Sequence, residues 1–248
     1  MILIKTKEEI EIMAEGGKIL AKIMKELEKR IKPGIATKEL NELSEELILK
    51  SGGKCSFKGY GGYPACLCVS LNEQVVHGVP SDRILKEGDI VSLDLGIFYN
   101  GFHADMANTL PVGRISSEAL RLIRTTKESF KKGLEEIKPG NTFGDIGNAV
   151  QELAESQGYG IIRDLCGHGI GRKLHEDPQI LNYGKKKTGP EIKEGMVFCI
   201  EPMLSAGNWE IKKSPDNYAF QTADSSLSCH FEHTIAVTEN GYKILTEI

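Results

Sequence analysis

Apolar residues recur at Ile10, Met13, Gly17, Leu20, Met24, Leu27 and Ile31 with the spacing of one helix face, and Pro33-Gly34 ends the run. A second stripe, Leu40, Leu43 and Leu47, follows a candidate N-cap at Thr37 and stops at Gly52-Gly53. The same order returns with Leu120, Ile123, Phe130 and Leu134 before Pro139-Gly140, then Ile146, Ala149, Val150 and Leu153 before Gly158. Elsewhere the pattern shortens to strand-like runs at 91–98, 102–110, 197–204, 231–238 and 242–245, with Asn100-Gly101 and Asn240-Gly241 as hairpin turns. Each half of the chain therefore reads helix, helix, strands.

Local words repeat on the same scale. Ile31-Lys32-Pro33-Gly34 recurs as Ile137-Lys138-Pro139-Gly140, 106 residues on, and Glu87-Gly88-Asp89-Ile90-Val91-Ser92-Leu93-Asp94 is echoed 107 residues on by Glu194-Gly195-Met196-Val197-Phe198-Cys199-Ile200-Glu201. So long a repeat predicts a duplicated half-domain, not a solenoid. One domain, 1–248, with pseudo-twofold halves at about 1–115 and 116–248 is expected, and closure would bring Asp94 and Glu201 to one central site.

Composition adds limits. The 248 residues are 40% hydrophobic and 27% charged, enough apolar material for a substantial core. A net charge of −4 offers no global attraction for nucleic acid or an acidic membrane, and Lys185 to Lys187 read as a solvated loop. No stretch is long and apolar enough for a signal peptide or a membrane span, so a cytoplasmic protein is expected. The six cysteines form no CxxC pair in a chain too large to need staples, and all six are expected as reduced thiols.

Five potential metal ligands, Asp94, Asp105, His168, Glu201 and Glu232, lie in strand-like or glycine-rich segments instead of on charged helical faces. Acids buried there need a compensating charge, which two divalent cations would supply. If Asn100-Gly101 is a two-residue turn, Asp94 faces Ala107 and Asp105 lies diagonally beside it, about 7–8 Å away at the backbone. The two acids could equally sit on the solvated face of an edge hairpin. His168, in Cys166-Gly167-His168-Gly169-Ile170-Gly171-Arg172, lacks the GxGxxG spacing of a nucleotide loop; alone it is as readily structural as functional. Four carboxylates with one imidazole suit Mn²⁺, Fe²⁺, Co²⁺ or Zn²⁺ and disfavour a closed structural zinc site.

Ser92-Leu93-Asp94-Leu95-Gly96, Cys166 to Gly171, Ile200-Glu201-Pro202 and Phe231-Glu232-His233-Thr234, in that order, resemble the type I methionine aminopeptidases over nearly the whole chain. The resemblance implies the duplicated pita-bread α/β fold, a curved antiparallel sheet covered by helices. It implies a dinuclear site in which Asp94 chelates one metal, His168 and Glu201 the other, and Asp105 and Glu232 bridge. The gap of 31 residues between Glu201 and Glu232 leaves no room for the helical insertion of type II relatives, and the short start before Lys7 is similar to the short bacterial form.

The same resemblance implies removal of the initiator methionine from new proteins by attack of a dinuclear-metal hydroxide on the first peptide bond. Glu201 would be the base, His175 would bond the carbonyl oxygen and His77 the next amide. Phe57, Tyr60, Tyr63, Cys68 and Tyr218 would line the methionine pocket with His77 and His175. Leu174 and Tyr218 stand where phenylalanine and tryptophan are common, which changes pocket shape and leaves the metal chemistry alone. A monovalent cation near Asn72 and Ser228, transient ribosome contact and a monomer are further expectations. His103, His230 and His233 gain no support. The alternatives are an Xaa-Pro peptidase of prolidase or aminopeptidase P type and a non-catalytic protein that kept the fold.

Overall fold

The structure is a computed structural model that describes residues 1–248. Four helices form two hairpins, α1 (Lys7–Glu28) with α2 (Thr37–Lys50) and α3 (Ser117–Glu135) with α4 (Phe143–Ser156). A capping box starts α1: Glu9 N–H donates to Thr6 Oγ1 at 3.2 Å, and Thr6 N–H donates to Glu9 Oε2 at 3.1 Å. Its apolar stripe, Met13, Leu20, Met24 and Leu27, is buried, and Gly17 lies so close to the Leu245 carbonyl that a Cβ there would collide.

The expected cap of α2 moves by one residue. Ala36 is the N-cap, its N–H donates to Glu39 Oε1 at 2.9 Å, and the Thr37 hydroxyl instead donates to the Ser81 carbonyl at 3.0 Å. Thr37 is thus spent on a distant loop. In α3 the buried stripe runs through Ala119, Leu122, Phe130 and Leu134, while Leu120 is exposed, a rotation of the face the apolar spacing suggested.

The repeated Pro-Gly words have the same geometry. Gly34 (φ 94°) and Gly140 (φ 92°) both occupy the left-handed region after a helix. Each is followed by a single bridge to a distant segment, Ala36 with Ile84 and Thr142 with Glu191.

The main sheet has nine strands, all antiparallel. In spatial order they are Lys54–Cys55, Ile90–Tyr99, Phe102–Pro111, Glu232–Thr238, Val197–Ile200, Gly167–Gly169 and Glu176–Ile180; Leu67–Leu71 also pairs with Ile90–Tyr99, and Gly241–Ile244 with Glu232–Thr238. The helices cover it. Leu67, Leu93, Leu95 and Ile97 are completely buried, each worth about 1.5–3 kcal/mol in burial.

The run expected at 197–204 is two strands, Val197–Ile200 and Met203–Ser205. Pro202 has no N–H for the ladder, and the break frees Glu201 at its start. The run expected from 231 forms one strand, Glu232–Thr238, and Phe231 separates it from a further short strand, Ser228–His230. The cysteine expectation needs a larger correction: Cys55 and Cys66 are disulfide-bonded, with Cα atoms 5.2 Å apart, and only Cys68, Cys166, Cys199 and Cys229 are free. Lys54–Cys55 and Leu67–Leu71 dock along the same strand, Cys55 opposite Ile97 and Leu67 opposite Leu95, which carries the two thiols together.

Candidate active site

The register of the central hairpin decides which acids meet. Tyr99 pairs with Phe102 across Asn100-Gly101, so Asp94 falls opposite Ala107. On its other flank Ala107 is opposite Glu232, and Cys68 is opposite Asp94. Paired residues of antiparallel strands share a face, so Cys68, Asp94, Ala107 and Glu232 form one row across four strands, with Asp105 on that face two residues from Ala107. Thr234 clamps the row: its hydroxyl accepts from Asp105 N–H at 2.9 Å and donates to Asp105 O at 2.8 Å. Glu201 follows Ile200, the partner of His233, and so ends beside Glu232. Asn182 donates to its carbonyl at 3.0 Å, a support that nothing in the local sequence signals.

His168 lies in the short Gly167–Gly169 strand. Its flanking glycines are required because a Cβ on Gly167 would strike the Cys199 carbonyl and one on Gly169 the Asp177 carbonyl. Its Nδ1 is 2.9 Å from the Gly169 carbonyl, which can only accept, so Nδ1 carries the proton. The bare Nε2 faces Glu201 Oε1 at 3.7 Å. That is the tautomer a metal ligand needs.

Ligand atoms of Asp94, Asp105 and Glu232 lie within 4.8 Å of one another, and those of Glu201, His230 and Glu232 do the same. Asp94 Oδ1, Asp105 Oδ1 and Glu232 Oε1 are buried without a hydrogen-bond partner. Burial pushes the Asp94 carboxyl up to about 7. Burial, then the negative charge of neighbouring acids, holds Asp105, Glu201 and Glu232 well above the ordinary carboxylate range. Burial also lowers His168 to about 3, so its ring is neutral at pH 7. Four converging acids, three of them with an orphaned oxygen, and one neutral, correctly protonated imidazole fit divalent cations, whose charge would offset the cost of burying the carboxylates.

These groups open into a cleft of about 1150 Å³, lined by the five expected divalent-metal ligands and by every residue expected to touch substrate. Phe57 (9% exposed), Tyr63 (8%) and Cys68 (3%) form its apolar floor with buried Leu174, while Tyr60 (50%) and Tyr218 (37%) stand at the rim. The Tyr63 hydroxyl donates to Gly78 O at 2.8 Å, which turns the polar end away from the floor. Tyr218 Oη donates to Gly62 O at 3.1 Å and its ring packs edge-on against Tyr63, centroids 5.8 Å apart.

His175 Nδ1 lies 2.8 Å from the Tyr60 hydroxyl, and its ring meets His168 edge-on at 4.3 Å. The next residue, Glu176, is in a buried pair with Lys5 at 2.7 Å, which anchors this loop. His77 is held at φ 60°, a conformation that costs a non-glycine residue about 1–3 kcal/mol and is commonest at functional sites. His103 and His233 are satisfied elsewhere, by Ser56 and Thr246 hydroxyls at 2.9 Å each. Asn72 and Ser228 do meet, Ser228 N–H donating to Asn72 O at 2.7 Å. His230 is the exception to the sequence reading: it stands inside the acid cluster.

Comparison with known proteins gives the same direction. The profile of metallopeptidase family M24 matches residues 11–239. Methionine aminopeptidase 1 of Bacillus subtilis (strain 168) is 49% identical over 248 residues, 100% of both chains. The crystal structure of a methionine aminopeptidase from Thermotoga maritima superposes with a TM-score of 0.98 at 46% identity, covering 100% of both. Prolidase from Pyrococcus furiosus aligns at TM-score 0.79 and 30% identity, over 99% of this chain but 65% of its own. The pita-bread fold with its curled antiparallel sheet is common to these proteins, and this chain belongs to metallopeptidase family M24, among its methionine aminopeptidases.

Proposed function

We propose that this chain removes the N-terminal methionine from newly made proteins whose second residue is small, using two divalent cations. The observation that carries the reading is the Cys68–Asp94 pair, which sets the floor of an apolar pocket one strand away from the acid cluster. Asp94 would hold one cation, His168 and Glu201 the other, and Asp105 and Glu232 both. When bound, the cations supply the charge that ionises the acids and the electrophilic pull that acidifies water and polarises the scissile carbonyl.

The chain's own groups do the rest. Glu201 takes the proton of the attacking water and returns it to the leaving amine. Burial lowers His175, so the ring is neutral at pH 7. With the Tyr60 hydroxyl donating to Nδ1, its Nε2 keeps a proton and donates to the carbonyl oxygen. His77, also neutral because burial lowers it to about 4, contacts the following amide. The reading includes a monovalent cation near Asn72 and Ser228, a monomer, brief contact with the ribosome and work in the cytoplasm. Cobalt, manganese, iron and zinc all suit the donor set.

The floor of Phe57, Tyr63, Cys68 and Leu174 accepts an unbranched thioether, and a methylene-sized misfit costs about 1–3 kcal/mol. The next side chain must pass His77 and His175. Among Met-Xaa-Ser and Xaa-Ala-Ser tripeptides we therefore expect kcat/KM to be high for Met-Ala-Ser and low for Met-Lys-Ser and for charged or β-branched first residues. Equal rates for Met-Ala-Ser and Met-Lys-Ser would remove the crowded second subsite. Faster cleavage of Ala-Pro would favour an Xaa-Pro peptidase, and no hydrolysis after metal loading a binding protein.

Metal loading has a sign in pH. In the metal-free protein burial raises Asp94 to about 7 and, with the charge of neighbouring acids, holds Asp105, Glu201 and Glu232 well above the ordinary carboxylate range, whereas burial lowers His168 to about 3. Cations compete with protons at these raised carboxyls, so apparent affinity should rise from pH 6 to pH 8, with the carboxylates and not His168 responsible. Mn²⁺ calorimetry in two buffers of different ionisation enthalpy should report net proton release on binding. An enthalpy independent of buffer would contradict the raised carboxyls of the acid cluster.

A further inference from the structure

His230 ends the short Ser228–His230 strand, 1% exposed, and neither ring nitrogen has a hydrogen-bond partner. A buried imidazole left so is costly unless something nearby uses it. Its Nε2 is 3.7 Å from Glu201 Oε2 and 3.9 Å from Glu232 Oε2. The other oxygen of Glu201, Oε1, faces His168 Nε2 at 3.7 Å. The Glu201 carboxylate therefore stands between two imidazoles, one to each oxygen.

The two rings cannot do the same thing. His168 has its proton on Nδ1, bonded to Gly169 O, so its Nε2 offers a lone pair. No partner commits the Nδ1 of His230, and its Nε2 is free to carry the proton and donate. The backbone fixes where that ring sits: Thr109 Oγ1 accepts from His230 N–H at 3.0 Å and donates to His230 O at 2.7 Å, and Met203 pairs with His230 from the other side. Bringing Nε2 from 3.7 Å to hydrogen-bond length takes a shift of about 0.7 Å. Catalytic contacts commonly tighten by this much when a site is filled.

We propose that His230 is a positioning residue for Glu201: its Nε2–H donates to Oε2, holding the carboxylate with Oε1 toward the His168 side and the reacting water. This rests on the reading of Glu201 as the base. A buried group that orients a metal-binding carboxylate is typically worth 10–100-fold in metal affinity or activity.

The test compares wild type, His230→Leu, which removes the donor, and His230→Gln, whose amide keeps one. In His230→Leu, kcat on Met-Ala-Ser should fall 10–100-fold with KM within about twofold, and Mn²⁺ affinity by calorimetry should fall about tenfold. His230→Gln should recover most of both losses, which a space-filling role would not produce. If the leucine variant does not fold, His230→Met, unbranched and without a donor, takes its place. Wild-type kcat and Mn²⁺ affinity in the donorless variant, or equal defects in folded Gln and Leu variants, would overturn the proposal. Should wild type fail to cleave Met-Ala-Ser, the aminopeptidase reading falls, while the Mn²⁺ affinities of the same proteins still decide on His230: equal values reject it.

Discussion

Asp105→Ala and Glu232→Ala are each expected to abolish peptide hydrolysis while the fold survives. Both acids project from the middle strands of the main sheet, and both leave an oxygen buried without a partner. In the metal-free protein each side chain is a desolvation cost, so its removal takes away a penalty along with a few packing contacts. The metal-free variants should therefore melt close to the wild type. The loaded proteins should differ strongly, because on the proposed assignment each variant removes a donor from both cations at once. Metal content should fall from two ions per chain toward one or none, and kcat/KM toward background, by elemental analysis and Met-Ala-Ser hydrolysis. Near-wild-type activity in either variant, or in protein stripped of metal, would sink the dinuclear reading.

The second large effect is expected from Glu201→Gln. Glutamine matches glutamate in shape but cannot accept the water proton, and proton transfer by a placed side chain is worth about 10²–10⁴-fold. Turnover should fall by that order at saturating metal, with KM little changed, since no pocket contact is lost. Glu201 is also a candidate ligand, so bound metal has to be measured on the sample whose rate is read. A variant with full metal occupancy and near-normal turnover would dismiss Glu201 as the base and send the role to another group in the cleft.

Much of the helical and hairpin structure was legible because its determinants are local. Pro33-Gly34 and Pro139-Gly140 mark turns whose glycines are left-handed, φ 94° and 92°. Asn100-Gly101 set the register of its hairpin, with Tyr99 opposite Phe102 and Asp94 opposite Ala107 as the spacing predicted. The residues singled out for metal and substrate line one cleft. Other features answered to distant partners. Thr37 gave up its cap for Ser81, and Leu120 turned outward on α3. The glycines around His168 reflect the approach of the Cys199 and Asp177 carbonyls.

By itself, then, the sequence determined the punctuation of the helices, the register of one hairpin and the chemical type of the site, since each depends on residues a few positions apart or on donor identity alone. Tertiary structure decided three things that no local spacing encodes. Cys55 and Cys66 meet because two separate segments dock on the same strand. Glu201 ends beside Glu232 because the strand before it pairs with a distant one, Ile200 opposite His233. His230 enters the acid cluster because Thr109 and Met203 hold its backbone from either side, and an imidazole's value as donor or ligand depends on which buried oxygens the closed sheet leaves within its reach.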